Sequence, residues 1–185
     1  SKVEKALKKI EDVLEDIKRL VEEVVERDER LLERLEEENK RADEKSKELV
    51  KRLTDLVREN KGKEETVKRV VDRVTEEVKR VVDKTREVLK KIEDSSRRVL
   101  EEVERLLREV EKEVTDILDE IRKDNLREAL ERIREILEEV RKAVEDLLRK
   151  IKETLKRIRE RVKRLIENLE KSLEDARKEV DRLRK

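Results

Sequence analysis

Eight of the twenty common residue types are absent from the 185-residue chain, namely Cys, His, Met, Phe, Trp, Tyr, Pro and Gln. At an average usage of about 5%, proline alone would be expected about nine times. The residues that remain mostly have high helix propensity or well-defined side-chain rotamers. This restricted alphabet favours helix along the whole chain.

The absent residues also remove most of the usual chemistry. Without histidine, no side chain titrates near neutral pH unless its pKa is strongly shifted. Without cysteine there is no thiol nucleophile, no disulfide and no indication of a redox compartment. Without aromatic residues there is no platform on which nucleic-acid bases could stack. We therefore predict that the chain is not an enzyme and has no catalytic residues, no cofactor and no metal site.

Charge is abundant but balanced, with 54 basic and 53 acidic residues and a net charge of +1. Disordered chains usually carry a high net charge, which this chain lacks. Basic clusters such as residues 156–159 alternate with acidic ones, which argues against a nucleic-acid or membrane-surface partner. The longest apolar runs have two residues, too short for a membrane-spanning helix or a signal peptide.

Two short interruptions divide the chain into three helical segments of similar length. Residues 60–63 contain Gly62, the only glycine, which either ends one helix in a left-handed conformation or caps the next. Residues 123–125 end in Asn125, a good N-cap, and Glu128 completes a capping-box pattern. We predict helices near 1–60, 64–122 and 126–184, each about 90 Å long. Short connections make them antiparallel neighbours, within a single elongated domain over residues 1–185.

A stripe of apolar residues runs along each segment with steps of four and three residues. In the third segment it consists of Ile133, Leu137, Val140, Val144, Leu147, Ile151, Leu155, Ile158, Val162, Leu165 and Leu169. The pattern makes five turns in 18 residues, which matches the 3.6 residues per turn of a straight helix. A seven-residue repeat would instead impose a left-handed supercoil. The fold class we predict is all-α, a single-chain antiparallel three-helix bundle of nearly straight helices.

The 18-residue stripe, the equal helices, the short connections and the missing residue types resemble a de novo designed, parametrically generated three-helix bundle. The resemblance implies a structural scaffold or a test of helical-bundle design, with high stability and no natural ligand. For such a synthetic chain we expect solubility in the cytoplasm of an expression host, and no natural compartment can be assigned. We expect a monomer that requires no partner, with weak self-association as the alternative.

Several polar residues lie on or beside the apolar stripes. Asp28 has apolar residues three and four positions away on both sides, and so it is predicted to face inward. The other members of this set are Asn39, Ser46, Thr85, Ser95, Ser96, Thr154, Asn168 and Ser172. If the first hairpin centres near 61–62 and the second near 124–125, these residues fall into two layers.

The first layer would contain Asp28, either Ser95 or Ser96, and Thr154. In the second, Ser46 is level with Ser172, Asn168 with Ala42, and Asn39 with Lys84 beside Thr85. Hydroxyl groups donate hydrogen bonds and a carboxylate accepts them. We interpret the layers as hydrogen-bond networks that fix helix register, because sliding one helix would leave a layer unpaired.

Two other functions stay open at this point. The chain could be a helical protein–protein interaction or oligomerisation module, although spectrin-like repeats would normally contain tryptophan and shorter helices. It could also carry a ligand or perform catalysis, which requires a cavity beside Asp28 or Asn39. A lone carboxylate without a partner acid or nucleophile makes catalysis the weakest of these hypotheses.

Overall fold

The structure is a computed structural model that describes residues 2–59, 64–124 and 127–184. It contains three α-helices, α1 (Lys2–Arg58), α2 (Glu64–Asp124) and α3 (Arg127–Arg184). The predicted all-α three-helix fold is confirmed, and every helix boundary lies within two residues of the expected position. The helix α2 continues through Lys123 and Asp124, which we had placed in the second loop. The proposed caps at Gly62 and Asn125 lie outside the described residues.

Charges at the helix ends agree with the helix dipole. Arg58 lies in the last turn of α1, where the backbone N–H of Glu59 donates to the carbonyl of Asp55 at 3.1 Å. Glu64 and Glu65 lie in the first turn of α2. A positive charge near a helix C-terminus and negative charges near an N-terminus are each worth about 0.3–1 kcal/mol. These charges therefore stabilise the helix ends independently of contacts between helices.

The contacts divide the chain into two compact units, and each unit contains part of every helix. Unit 1 comprises residues 1–28 and 92–156, and unit 2 comprises residues 29–91 and 157–185. The expectations of a single elongated domain and of nearly straight helices stay predictions.

In unit 1, all three helices contribute to one apolar core. Its most deeply buried members include Ile10, Ile17, Val21, Val103, Ile133, Val144 and Ile151. Complete burial of each such side chain contributes about 1.5–3 kcal/mol. The ion pairs Lys2–Glu120 and Lys9–Glu113, both at 3.1 Å, show that α1 and α2 are antiparallel here.

In unit 2, the core includes two apolar clusters, in addition to buried residues such as Leu35 and Val162 that belong to neither. One contains Ala42, Val74, Val78, Val81, Val82 and Leu169, and the other contains Leu53, Val67 and Val180. Arg157 pairs with Glu29 at 2.6 Å and Arg161 pairs with Glu36 at 3.1 Å, so the partners advance in the same direction and α1 and α3 run parallel. Arg86 of α2 reaches Glu170 of α3 at 3.7 Å. Most buried positions of α3 follow the predicted apolar stripe, but Leu137, Leu147 and Leu155 of that stripe are only half-buried.

Within the described residues, no helix combines the length and the apolar character that a membrane-crossing segment needs.

Candidate functional site

The first buried polar pair joins α1 to α2 in unit 1. Asp28 is 2% exposed and Ser96 is 1% exposed, and the hydroxyl of Ser96 donates to Oδ2 of Asp28 at 3.2 Å. Of the two adjacent serines, Ser96 therefore makes the interhelical bond, while Ser95 is only half-buried. The second carboxylate oxygen of Asp28, Oδ1, has no hydrogen-bond partner among the described residues.

The surroundings of Asp28 disfavour its charged form. Burial raises the pKa of Asp28 to about 6, although the hydrogen bond from Ser96 and the positive charge of Arg27 oppose the rise. A carboxylate in an apolar core usually needs an ion pair or several donors to stay charged. Asp28 has one neutral donor, so its charge is poorly compensated.

Thr154 of α3 is also buried, with 8% of its surface exposed. In α3 the buried line passes from Ile151 through Thr154 to Ile158, and Leu155 lies at the flank. Within the described residues, no hydrogen bond connects Thr154 with Asp28 or Ser96. The predicted three-residue layer is thus a bonded pair, accompanied by a threonine that occupies a core position at a similar level.

The second buried polar pair joins α1 to α2 in unit 2. Asn39 donates through Nδ2 to the carbonyl of Leu35 at 2.7 Å and to the hydroxyl of Thr85 at 3.1 Å. Thr85 in turn donates to the carbonyl of Val81 at 2.7 Å. The amide oxygen of Asn39, Oδ1, finds no partner among the described residues. Asn39 therefore pairs with Thr85 and not with the neighbouring Lys84. The ammonium group of Lys84 instead pairs with Glu38 at 2.9 Å.

The two pairs have the same antiparallel register. Asn39 follows Asp28 by eleven positions, and Thr85 precedes Ser96 by eleven positions. Each pair therefore places α1 and α2 at matching levels within its own unit.

Three predicted positions do not form the expected layer. Ser46 is 3% exposed, but its hydroxyl donates to the carbonyl of Ala42 in its own helix at 2.8 Å. Ser172 is half-buried and donates to the carboxylate of Asp43. Asn168 is exposed, which corrects the expectation of a buried side chain. It precedes the buried Leu169 by one position, and one position rotates a side chain by about 100° around the helix.

Two polar contacts between helices were missed by the sequence reasoning. Asp43 of α1 accepts a hydrogen bond from Ser172 of α3. Asp43 also forms an ion pair with Lys47 of its own helix at 2.9 Å. Burial alone would raise the pKa of Asp43, but the hydrogen bond from Ser172 and the charge of Lys47 outweigh it and lower the pKa. Thr75 accepts from Arg177 of α3 at 3.1 Å. Both residues directly follow a buried stripe position, and this adjacency is the signal that could have revealed them.

A groove between α1 and α3 in unit 2 lies beside one of the polar pairs. Its volume is about 700 Å³, and Asn39, Leu165, Asn168, Leu169 and Ser172 are among its lining residues. The two leucines are only 8% and 2% exposed, so the groove offers a ligand little apolar surface. The unpartnered oxygen of Asn39 is shielded from solvent, although other atoms of Asn39 line the groove. The cavity that a ligand carrier needs is present, but it lacks the apolar walls typical of small-molecule sites.

Among the residues that the structure describes, no group of three or more His, Cys, Asp or Glu side chains is arranged to hold a metal ion.

The chain was compared with protein-family models, curated proteins and solved structures. No protein-family model matches the chain, and no curated protein matches it. One solved structure, described as "Computationally designed three helix bundle", is 20% identical and has a TM-score of 0.37, with 98% of this chain and 86% of that chain covered. At this identity and TM-score the similarity supports no conclusion about this chain.

Proposed function

We propose that the chain is a structural scaffold of engineered origin, in which buried polar pairs hold α1 and α2 in one antiparallel register. The observation that carries this proposal is the pair of hydrogen bonds Ser96–Asp28 and Asn39–Thr85, both between side chains at most 3% exposed. Apolar side chains pack in several registers with similar energy, whereas hydrogen bonds require one.

The cost of a slipped register supports this role. Sliding α2 by one turn against α1 would separate both pairs, because each pair depends on a specific level of the two helices. A buried polar group that loses its partner costs about 1–3 kcal/mol. The apolar stripe repeats along the helices and would tolerate the same slide with far less loss. The polar pairs therefore distinguish between registers that the apolar core treats as similar.

The engineered origin is supported by the composition and the repeat. Eight residue types are missing and the apolar stripe repeats every 18 residues. Each of the two pairs contains a side-chain hydrogen bond between helices, although one oxygen of Asp28 and the amide oxygen of Asn39 have no partner among the described residues. Ser96 has Asp28 as its partner, but no histidine exists in the chain to take a proton from the hydroxyl, as nucleophilic catalysis by serine usually requires. We therefore propose no enzymatic role.

The proposal can be tested with a variant in which both pairs are apolar, Asp28→Leu, Ser96→Ala, Asn39→Leu and Thr85→Val. The variant should remain helical and can gain stability, since well-packed apolar residues often replace buried polar groups without loss. Its amide NMR spectrum should nevertheless show more than one set of signals for the core residues, because several registers become comparable in energy. The parent chain should show one set.

Ser46→Ala is the matched control, because Ser46 is equally buried but bonds only within α1. It should retain a single set of amide signals. If the four-residue variant also gives one set of signals, with helix pairing unchanged, the polar pairs do not select the register and the proposal is wrong.

A further inference from the structure

Asp28 is the one acidic side chain that is buried among the described residues. Its only hydrogen bond comes from a neutral hydroxyl at 3.2 Å, and no ion pair reaches it within the described part of the chain. Removing a carboxylate from water without a compensating partner favours the protonated form. The site is therefore better suited to a neutral carboxyl group than to a carboxylate.

The donor geometry of Ser96 differs from that of the other buried hydroxyls with hydrogen bonds. The hydroxyls of Ser46, Thr75 and Thr85 each donate to the backbone carbonyl four residues earlier, at 2.7–2.8 Å. Ser96 instead donates across to the carboxylate of Asp28.

Protonation would let this pair form two good hydrogen bonds. A proton taken from solvent onto Oδ2 of Asp28 can be donated to the hydroxyl oxygen of Ser96. Ser96 is then free to donate to the carbonyl of Ile92, four residues earlier in α2, as the other buried hydroxyls do. The contact between α1 and α2 persists with its direction reversed, and the buried charge disappears.

The charged groups around Asp28 do not compensate its carboxylate. On α1, Arg27 is exposed and Glu29 pairs with Arg157 at 2.6 Å. On α2, Asp94 and Arg97 pair with each other at 3.1 Å. On α3, the charged residues near Thr154 include Lys150, Lys152, Glu153 and Lys156, all of them exposed. Charges that face water act on a buried group only weakly.

We propose that Asp28 makes unit 1 pH-sensitive, so that the pairing of α1 with α2 becomes stronger as the solution is acidified from about pH 8 to about pH 5. The proposal rests on the burial and hydrogen bonding of Asp28 and is independent of the scaffold function.

The direction follows from proton linkage. The pKa of Asp28 is about 6 in the folded protein, above its ordinary value of about 3.9 in an unfolded chain. The folded state therefore binds the proton more tightly than the unfolded state. The stabilisation is complete below about pH 4 and is lost as the pH rises through about 6. The unfolding equilibrium constant should increase on the order of 100-fold between about pH 4 and about pH 8.

Other perturbed carboxyl groups act in a different pH range. Hydrogen bonds and positive charges lower the pKa values of Asp43, Glu102 and Glu138. Stability from these groups is lost only as the pH falls through their lowered values, below their ordinary range of about 4. Between about pH 5 and about pH 8, the change in stability should therefore report the protonation of Asp28 and not that of Asp43, Glu102 or Glu138.

The experiment is guanidinium unfolding of the full chain, followed by helical circular dichroism across this interval, for the parent and for Asp28→Asn. The asparagine keeps the shape and an acceptor for Ser96 but cannot titrate. The parent should become more stable towards pH 5, by about 10-fold in its unfolding constant between about pH 8 and about pH 5, and the variant should not change. A parent stability that is flat or falls towards pH 5 would overturn the proposal.

A second measurement keeps the test independent of whether the variant folds. The carboxyl carbon of Asp28 can be followed by NMR in the parent and in Ser96→Ala. The parent should titrate with a midpoint near 6. Ser96→Ala removes both the donor to the carboxylate and the acceptor for the protonated carboxyl group, so the midpoint should stay above the ordinary range of about 4, because burial, the main cause of the rise, remains. A parent midpoint below about 4.5, in the ordinary range, contradicts the proposal.

Discussion

Asn39 bonds twice through its amide nitrogen and leaves its amide oxygen without a partner. Hydrogen bonds thus compensate the burial of the Asn39 amide only in part. Thr85, by contrast, both accepts from Asn39 and donates to its own helix. At the scale of single residues the two partners are therefore unequal. Their substitution should have effects of different sign.

Thr85→Val should destabilise the parent by about 1 kcal/mol, because one N–H of Asn39 then loses its acceptor. Asn39→Leu should be close to neutral or stabilising, because it also removes the unpartnered oxygen. In the Asn39→Leu background, Thr85→Val should no longer destabilise. Chemical unfolding of the two single variants and the double variant gives the coupling energy of the pair. Equal losses from Thr85→Val in both backgrounds would show that the hydrogen bond contributes nothing.

The inward direction of Asp28 and Asn39 could be predicted from the sequence, because their neighbours three and four positions away are apolar. The choice between Ser95 and Ser96 could not, since register estimated from loop positions is uncertain by a residue. One residue is enough to turn a side chain from the core to the flank. The same uncertainty explains why exposed Asn168 was expected beside the buried Leu169. Whether the members of a layer bond to one another, as Thr154 does not, depends on side-chain distances that periodicity leaves undefined.

At the scale of helices, the parallel contact of α1 with α3 in unit 2 differs from the contact of α1 with α2. It includes the ion pairs Arg157–Glu29 at 2.6 Å and Arg161–Glu36 at 3.1 Å, whose side chains are 38–61% exposed. Ion pairs at such exposure contribute about 0–1 kcal/mol and are screened by salt. The seam between α1 and α3 is therefore held mainly by apolar packing, with charges that adjust its alignment.

Glu36→Lys should cost up to about 1 kcal/mol at low salt, because it places two positive groups together. Adding Arg161→Glu should restore most of the loss. The control is Glu48→Lys, which disrupts the pair with Arg52 within α1 at 3.0 Å and should cost about 0.5 kcal/mol or less. All differences should shrink at about 1 M salt. A loss at Glu36 that persists in salt and is not recovered by the swap would exclude the ion pair as its cause.

Helix boundaries were well predicted because glycine and asparagine stand out in a sequence with so few helix breakers. The groove beside Asn39 was not predictable as a shape, because it depends on how closely α1 and α3 approach where Asn168, Ser172 and Asp43 replace larger apolar flanking residues.

At the scale of the whole molecule, the chain combines a regular apolar stripe, interrupted by a few polar residues, with a composition in which 58% of all residues are charged. Idealised helices with such regular packing tend to be very stable. We expect little loss of helical circular dichroism below about 90 °C. A cooperative transition near about 60 °C, as in ordinary domains, would contradict this expectation.

The assembly state separates the scaffold from the interaction-module hypothesis. Sedimentation equilibrium over a range of concentrations should give the mass of one chain throughout. A mass that increases with concentration would favour the oligomerisation module instead.

The most direct test of the register is a spin-label distance between α1 and α2 in unit 2. Labels at Arg34→Cys and Lys68→Cys use two exposed positions in a chain without native cysteine. In the register of the Asn39–Thr85 pair, residue 90 of α2 is level with Arg34 of α1. Lys68 lies 22 residues from residue 90 along α2, so the labels should be about 35 Å apart. The parent chain should give one narrow distance distribution centred there. A second population displaced by about 5 Å, the rise of one helical turn, would show that the polar pairs do not fix the register.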